Sequence, residues 1–174
     1  MNKSHRITSK GWIKIQTCKL LSFDTSTNST GYSLYISGKL QKYELLDFKH
    51  IKNTDERIKE MILKIYEIIE YEKPQIIVTE MTVVTRNAQA QRNLTMILGA
   101  IYGYCLRNGI FYWSFRPTEW RKLVHTTNEK LPRKRDELKQ WSINKVNELF
   151  DITSITDDVS DAILIGQAYI NKFS

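Results

Sequence analysis

The stretch LLSFDTSTNSTGYSLYISG, residues 20–38, sets an apolar run against an aspartate, a cluster of small polar residues and a second run rich in strand formers. Residues 19–23 read as a short buried strand and Tyr32 to Ile36 as a second. Ser37-Gly38-Lys39 then turns the chain into a third strand near Leu40 to Phe48. The opening is therefore an antiparallel three-strand meander, and Asp24 closes its first strand. An ionised carboxylate beside buried residues is costly unless something pairs with it, so Asp24 needs a partner or a task.

Beyond the meander the period changes. From Thr54 to Tyr71 the residues Ile58, Met61, Ile62, Ile65, Ile68 and Ile69 recur at three- and four-residue steps, the signature of an amphipathic helix, with Thr54 placed to cap it. Pro74 stops this helix. QIIVTE, residues 75–80, is β-branched and too short for a helix, so it reads as a central strand, and it too ends on a carboxylate, Glu80. Residues 87–107 are helix-compatible, with Ala88, Leu94, Ile97, Leu98, Ile101 and Leu106, and Asn108-Gly109 ends them. IFYWSF, residues 110–115, is a fifth strand. Pro117 opens another helix, and two more are expected near 135–150 and 157–170. This order argues for an α/β sandwich with a mixed five-stranded sheet and a site gathered at strand ends.

The chain has 174 residues, 41% hydrophobic and 26% charged, which suits one globular domain rather than a disordered segment. Its formal charge of +7 is unevenly spread. Arg116 to Arg135 holds Arg116, Arg121, Lys122, Lys130, Arg133, Lys134 and Arg135 against Glu119 and Glu129, which points to a polyanion such as nucleic acid. Residues 1–17 carry Lys3, Arg6, Lys10 and Lys14 and no acid, so they read as a basic extension ahead of a single domain at 18–174. The two cysteines, Cys18 and Cys105, lack metal or disulfide spacing. No apolar run approaches the roughly 20 residues of a membrane span, and no signal-peptide core is present. A cytoplasmic location is expected, in a bacterial cell or in a host cell if the gene is carried by a phage.

TDDVSDAILIG, residues 156–166, opens the last helix. Asp158 and Asp161 are three apart and Asp157 and Asp161 four apart, so they share a helix face and repel. The helix dipole offsets part of this, and Thr156 or Asp157 suits the N-cap. The dipole alone does not explain Asp161, which borders an apolar run. If this helix packs across the strand ends at Asp24 and Glu80, hard oxygen ligands converge, the donor set preferred by Mg²⁺ or Mn²⁺. Two such ions about 3.5–4 Å apart serve phosphodiester hydrolysis by metal-activated water.

Three blocks, LLSFDTSTNSTGYSLY, IIVTEMTVVTRNAQAQRNLTMILGAIYGYC and ITDDVSDAILIGQAY, resemble in order and spacing those of RuvC-type Holliday junction resolvases, members of the ribonuclease H-like superfamily. The resemblance implies a ribonuclease H-like fold: a mixed five-stranded sheet, its first three strands antiparallel, with helices on both faces. It implies a metal-dependent endonuclease that cuts four-way DNA junctions as a homodimer. Asp24, Glu80, Asp158 and Asp161 would be the catalytic, metal-binding acids, with Asp157 as an additional acid. Val83 and Val84 fall where the family places a residue that probes the junction centre. Basic DNA contacts would fall on Arg121 or Lys122 and on Lys134 or Lys139, and Arg86 is counted with them. The dimer helix would be the one after Glu80, through Leu94, Ile97, Leu98 and Ile101, unless these residues are all core; Gly99 and Gly103 permit close approach either way.

Other functions remain to be separated from this one. A nuclease of broader appetite would also cut three-way branches, forks or flaps. A catalytically dead junction binder would have no reason to keep four mutually repelling acids. LLSFDTSTNSTGYSL also resembles the opening of actin-like ATPase-fold scaffolds, but the chain lacks room for their second lobe. His125 reads as a solvated residue in a basic loop.

Overall fold

The computed structural model describes residues 18–82, 87–126 and 130–174. Five strands, β1 (Lys19–Thr25), β2 (Ser29–Ile36), β3 (Lys39–Asp47), β4 (Ile76–Glu80) and β5 (Phe111–Phe115), form one sheet in the order β3-β2-β1-β4-β5. The first three are antiparallel, and β4 and β5 run parallel to β1. The expected mixed sheet and its antiparallel meander are borne out. The helices are α1 (Thr54–Glu72), α2 (Ala88–Asn108), α3 (Pro117–Val124), α4 (Arg135–Phe150) and α5 (Asp157–Phe173).

Local sequence accounts for most boundaries. Ile36 pairs with Lys39 across Ser37 (φ 53°) and Gly38 (φ 76°), a two-residue hairpin loop whose positive φ values match the twist of the flanking strands. β1 and β2 reach further than their apolar runs, because Asp24 pairs with Gly31 and Thr25 with Thr30 through the backbone ladder. The cap of α1 is Asn53 rather than Thr54: its side chain accepts from the Glu56 amide, which leaves Thr54 as the first helical residue. Lys73 ends α1 in the left-handed conformation just before Pro74. Gly109 ends α2 in the same way. Thr156, and not Asp157, caps α5.

The two faces of the sheet carry separate cores. Leu21 and Phe23 of β1 and Ile77 of β4 pack with Ile58, Met61, Ile65 and Ile69 of α1 and Ile97, Ile101 and Cys105 of α2. The alternate residues Leu20, Ile76 and Val78 face α5 through Val159, Ile163 and Leu164, with Trp120 and Val124 of α3 and Val146 of α4 behind them. Here α5 lies against the sheet with little between them. A Cβ on Gly31 would fall 2.1 Å from the Asp158 carbonyl oxygen, and one on Gly166 would fall 2.5 Å from the Tyr35 ring. The Ser22 hydroxyl donates to the Ala162 carbonyl at 2.7 Å, and the Tyr35 hydroxyl to the Ile163 carbonyl at 2.8 Å. Both cysteines are buried and neither is in a disulfide among the described residues. No described helix is long and apolar enough to cross a membrane.

Candidate active site

Strand alternation decides where the acids point. Leu20 and Ser22 face α5, so Asp24 faces it too; Ile76 and Val78 do the same for Glu80. The parallel register pairs Phe23 with Thr79, so Asp24 and Glu80 are the next residues along two neighbouring strands, whose usual backbone spacing is about 4.8 Å. Across β1, Asp24 pairs with Gly31, the residue over which the first turn of α5 passes. Asp158 therefore sits above β2, where the Ser29 hydroxyl donates to its carboxylate at 2.5 Å. Asp161 follows one turn along.

The charges feel one another. Burial, and then Asp161, Glu80 and Asp158, push the Asp24 carboxyl well above the usual carboxylate range, with Arg121 opposing. Burial raises Glu80 as well, against a hydrogen bond from Trp120 and the charge of Arg121. Asp161 is pushed up to about 6 by burial, with Glu80 and Asp157 adding to the rise and the Ser142 hydroxyl and Arg121 opposing it. The Ser142 hydroxyl faces Asp161 closely enough to oppose the rise, although neither Ser142 Oγ nor Asp161 Oδ1 makes a well-directed hydrogen bond among the described residues.

Arg121 stands inside this cluster. Its Nη2 lies 3.6 Å from Asp161 Oδ2 and 4.0 Å from Glu80 Oε2. Trp120, fully buried, organises both neighbours: its indole N–H donates to Glu80 Oε2 at 2.5 Å, and its ring underlies the Arg121 guanidinium at 4.5 Å. Lys122 is exposed on α3. Lys134 caps α4, 83% exposed, and pairs with Glu137 at 3.3 Å. Lys139 binds Asp157 at 2.7 Å, which ties that acid to α4 and leaves Asp158 as the first-turn acid held over the sheet. His125 is partly buried against Trp141, rather than solvated in a loop. Val83, Val84, Arg86 and residues 1–17 lie outside the described residues.

Of the two readings left open for Leu94, Ile97, Leu98 and Ile101, dimer face or core, the core reading holds for Ile97 and Ile101. Ile97 and Ile101 are fully buried in the α1–α2 core, and Leu94 and Leu98 line a cleft of about 100 Å³ beside Asp24, Glu80 and Met81. The outward ridge of α2 is instead Met96, Gly99, Gly103 and Leu106, spaced three and four apart, with Met96 52% and Leu106 65% exposed and open space over both glycines. Helical phase explains the difference: the residues most apolar in sequence are the ones the sheet needs.

A cleft of this size is well below the roughly 300 Å³ of a small-molecule pocket, so a reacting group would lie across its mouth. The donor set suits Mg²⁺ or Mn²⁺: all oxygen, negatively charged, with one buried carboxylate oxygen on Asp161 left unpartnered. Among the described residues no three acidic, His or Cys side chains already stand close enough to hold one ion. A guanidinium occupies the space between two of them. Trp120, Ser29 and Gly31 were not singled out in the sequence as site residues. The available signal was Trp120 preceding Arg121 directly after the Pro117 helix start.

No family model matches this sequence, and no curated protein does. Solved structures do. RuvC of T. thermophilus in complex with a Holliday junction substrate matches with a TM-score of 0.70 at 13% identity, over 88% of this chain and 92% of that one. The chain shares its fold. Fowlpox virus resolvase, solved with Holliday junction DNA, gives 0.61 at 16% identity, over 88% and 97%. The yeast mitochondrial Holliday junction resolvase gives 0.56 at 12%, over 87% and 77%. The shared fold thus covers 87–88% of this chain, while at such identities the chemistry has to be argued from the side chains.

Proposed function

We propose that this protein is a divalent-metal-dependent endonuclease that resolves four-way DNA junctions as a homodimer. The convergence of Asp24, Glu80, Asp158 and Asp161 at one end of a resolvase-fold sheet carries this reading. Mg²⁺ or Mn²⁺, held by these four acids, would supply Lewis-acid activation of water and charge neutralisation at the scissile phosphate. The protein's own share is orientation. Trp120 aims the Glu80 carboxylate and Ser29 aims Asp158, while the tight seat of α5 fixes Asp158 and Asp161 relative to the strand ends. Lys122 and Lys134, exposed on the same basic segment, hold the DNA backbone without reading its sequence. Asp157, already neutralised by Lys139, stays outside the ligand set. A two-fold symmetric substrate needs two cuts, which a second copy packed on the Met96–Leu106 ridge would deliver.

Cleavage of end-labelled four-way, three-way and linear DNA, with Mg²⁺, Mn²⁺ or chelator, tests the reading. Paired nicks confined to the four-way substrate are expected. Asp24→Asn and Asp161→Asn each lower cleavage by more than the roughly 10–100-fold typical of losing a residue behind a metal ligand. Both variants retain junction binding, because a negative charge near the phosphates is removed. Equal cutting of three-way DNA would move the claim to a general branch nuclease, and no cutting under any metal would leave a DNA-binding protein.

A further inference from the structure

The acid cluster already contains a cation. Arg121 is only 16% exposed at its side chain, yet its contacts with the acids are poorly made for a structural salt bridge. Both run through a single nitrogen, Nη2, at 3.6 and 4.0 Å, beyond hydrogen-bond length, where a built pair would use the two-pronged fork of the guanidinium. Arg121 Nε is buried with no hydrogen-bond partner among the described residues, and the facing Asp161 Oδ1 has no well-directed one, with only the Ser142 hydroxyl beside it. Buried polar atoms in native proteins are rarely left so, and two on adjoining side chains mark a site awaiting ligands of opposite kinds. A buried carboxylate with one hydroxyl beside it still calls for a cation, and the guanidinium edge for an anion with paired oxygens, such as a phosphodiester. The Trp120 ring beneath the guanidinium holds it in reach of either position without a directional bond.

We propose that Arg121 is the resident counter-ion of the site, neutralising Glu80 and Asp161 until a divalent ion takes its place, and that a DNA phosphate draws the displaced guanidinium so that metal and DNA load together. This rests on the metal-nuclease reading above and adds to it an internal competitor. The two loadings are then coupled, and by linkage each raises the affinity of the other by the same factor. Without DNA, Arg121 weakens metal binding; with DNA, it stops doing so. The arrangement keeps the hydrolytic centre from charging fully until a backbone is in place.

Titration calorimetry with Mn²⁺ on DNA-free protein is the test. Arg121→Gln removes the competitor and should bind Mn²⁺ about tenfold more tightly than wild type, while Arg121→Lys, which keeps the charge, stays near wild type. Junction cleavage by Arg121→Gln should nevertheless be slower, since the phosphate at the acid cluster then loses its guanidinium partner. Equal or weaker Mn²⁺ binding by Arg121→Gln would overturn the proposal. A second measurement needs no variant that must survive the loss of a buried charge. In wild-type protein with ¹⁵N-labelled arginine, saturating Mg²⁺ should shift the Arg121 Nε–H resonance, identified by its absence in Arg121→Lys. An unmoved resonance would sink the idea. Failure here leaves junction cleavage intact, whereas tight metal binding with no cleavage of any branched DNA would count against the nuclease reading instead.

Discussion

Both faces of the sheet carry an apolar core, but the α5 face adds a kind of contact near the acids that the other face lacks among the described residues. Against α1 and α2 the sheet presents Leu21, Phe23 and Ile77, met by Ile58, Met61, Ile65, Ile69, Ile97 and Ile101, an interlock of branched apolar chains. Against α5, close to the acids, it presents Gly31, Ser22 and Ser33, met by the helix backbone itself. Apolar packing is non-directional: it fixes that two elements touch and tolerates small shifts in how. Hydroxyls on the carbonyls of Ala162 and Ile163, together with backbone stacked on a glycine, fix the depth and rotation of α5. A carbonyl can accept such a bond while keeping its helical one, because it has two lone pairs. Stability is thus spread over both faces, while the placement of Asp158 and Asp161 depends on one.

Gly31→Ala should be the most damaging way to break this asymmetry. The new Cβ would lie 2.1 Å from a backbone oxygen, and no side-chain rotation relieves that. The first turn of α5 must lift, at about 3 kcal/mol or more in urea denaturation, the upper end for overpacking. Cleavage should vanish with it, because Asp158 moves off Ser29. Normal cleavage by a stably folded Gly31→Ala protein would show that the close seat is incidental.

Ser22→Ala probes the same contact more gently. Ser22 bonds both Ser33 at 2.6 Å and the Ala162 carbonyl at 2.7 Å, and Ser33 still reaches that carbonyl at 3.2 Å. The loss should come to about 1 kcal/mol, a typical net hydrogen bond, since no donor is stranded. A measurable fall in cleavage should accompany it, with junction binding unchanged. Thermal melts and cleavage rates on one preparation would separate the two effects.

These faces were also unequally legible in the sequence. The α1 helix announced itself through isoleucines at three- and four-residue steps, and the strands ending on Asp24 and Glu80 through apolar runs bounded by polar residues. Period alone put those two carboxylates at strand ends, and the aspartate spacing put Asp158 and Asp161 on one helix face. Gly31, Ser22 and Ser33 read only as polar interruptions, because their role is to be small opposite a helix 130 or so residues away, which no local pattern encodes. Trp120 was hidden for a similar reason, its indole being matched to Glu80 on a strand 40 residues earlier. The α2 residues stayed ambiguous between core and dimer face because apolar content says how much surface a helix buries, and only tertiary phase says against what.

Ile65→Val supplies the smallest effect and the sharpest control. Ile65 is fully buried on the α1 face, and removing one methyl should cost about 0.5–1.5 kcal/mol, much the same as Ser22→Ala. Cleavage should not change, because nothing in that face sets the rotation of α5. The pair of variants therefore holds the loss of stability roughly constant while moving it from one side of the sheet to the other. If both slowed cleavage equally, global softening would explain the effect and the two faces would be equivalent. A loss confined to Ser22→Ala would assign the geometry of the acids to the hydrogen-bonded face alone.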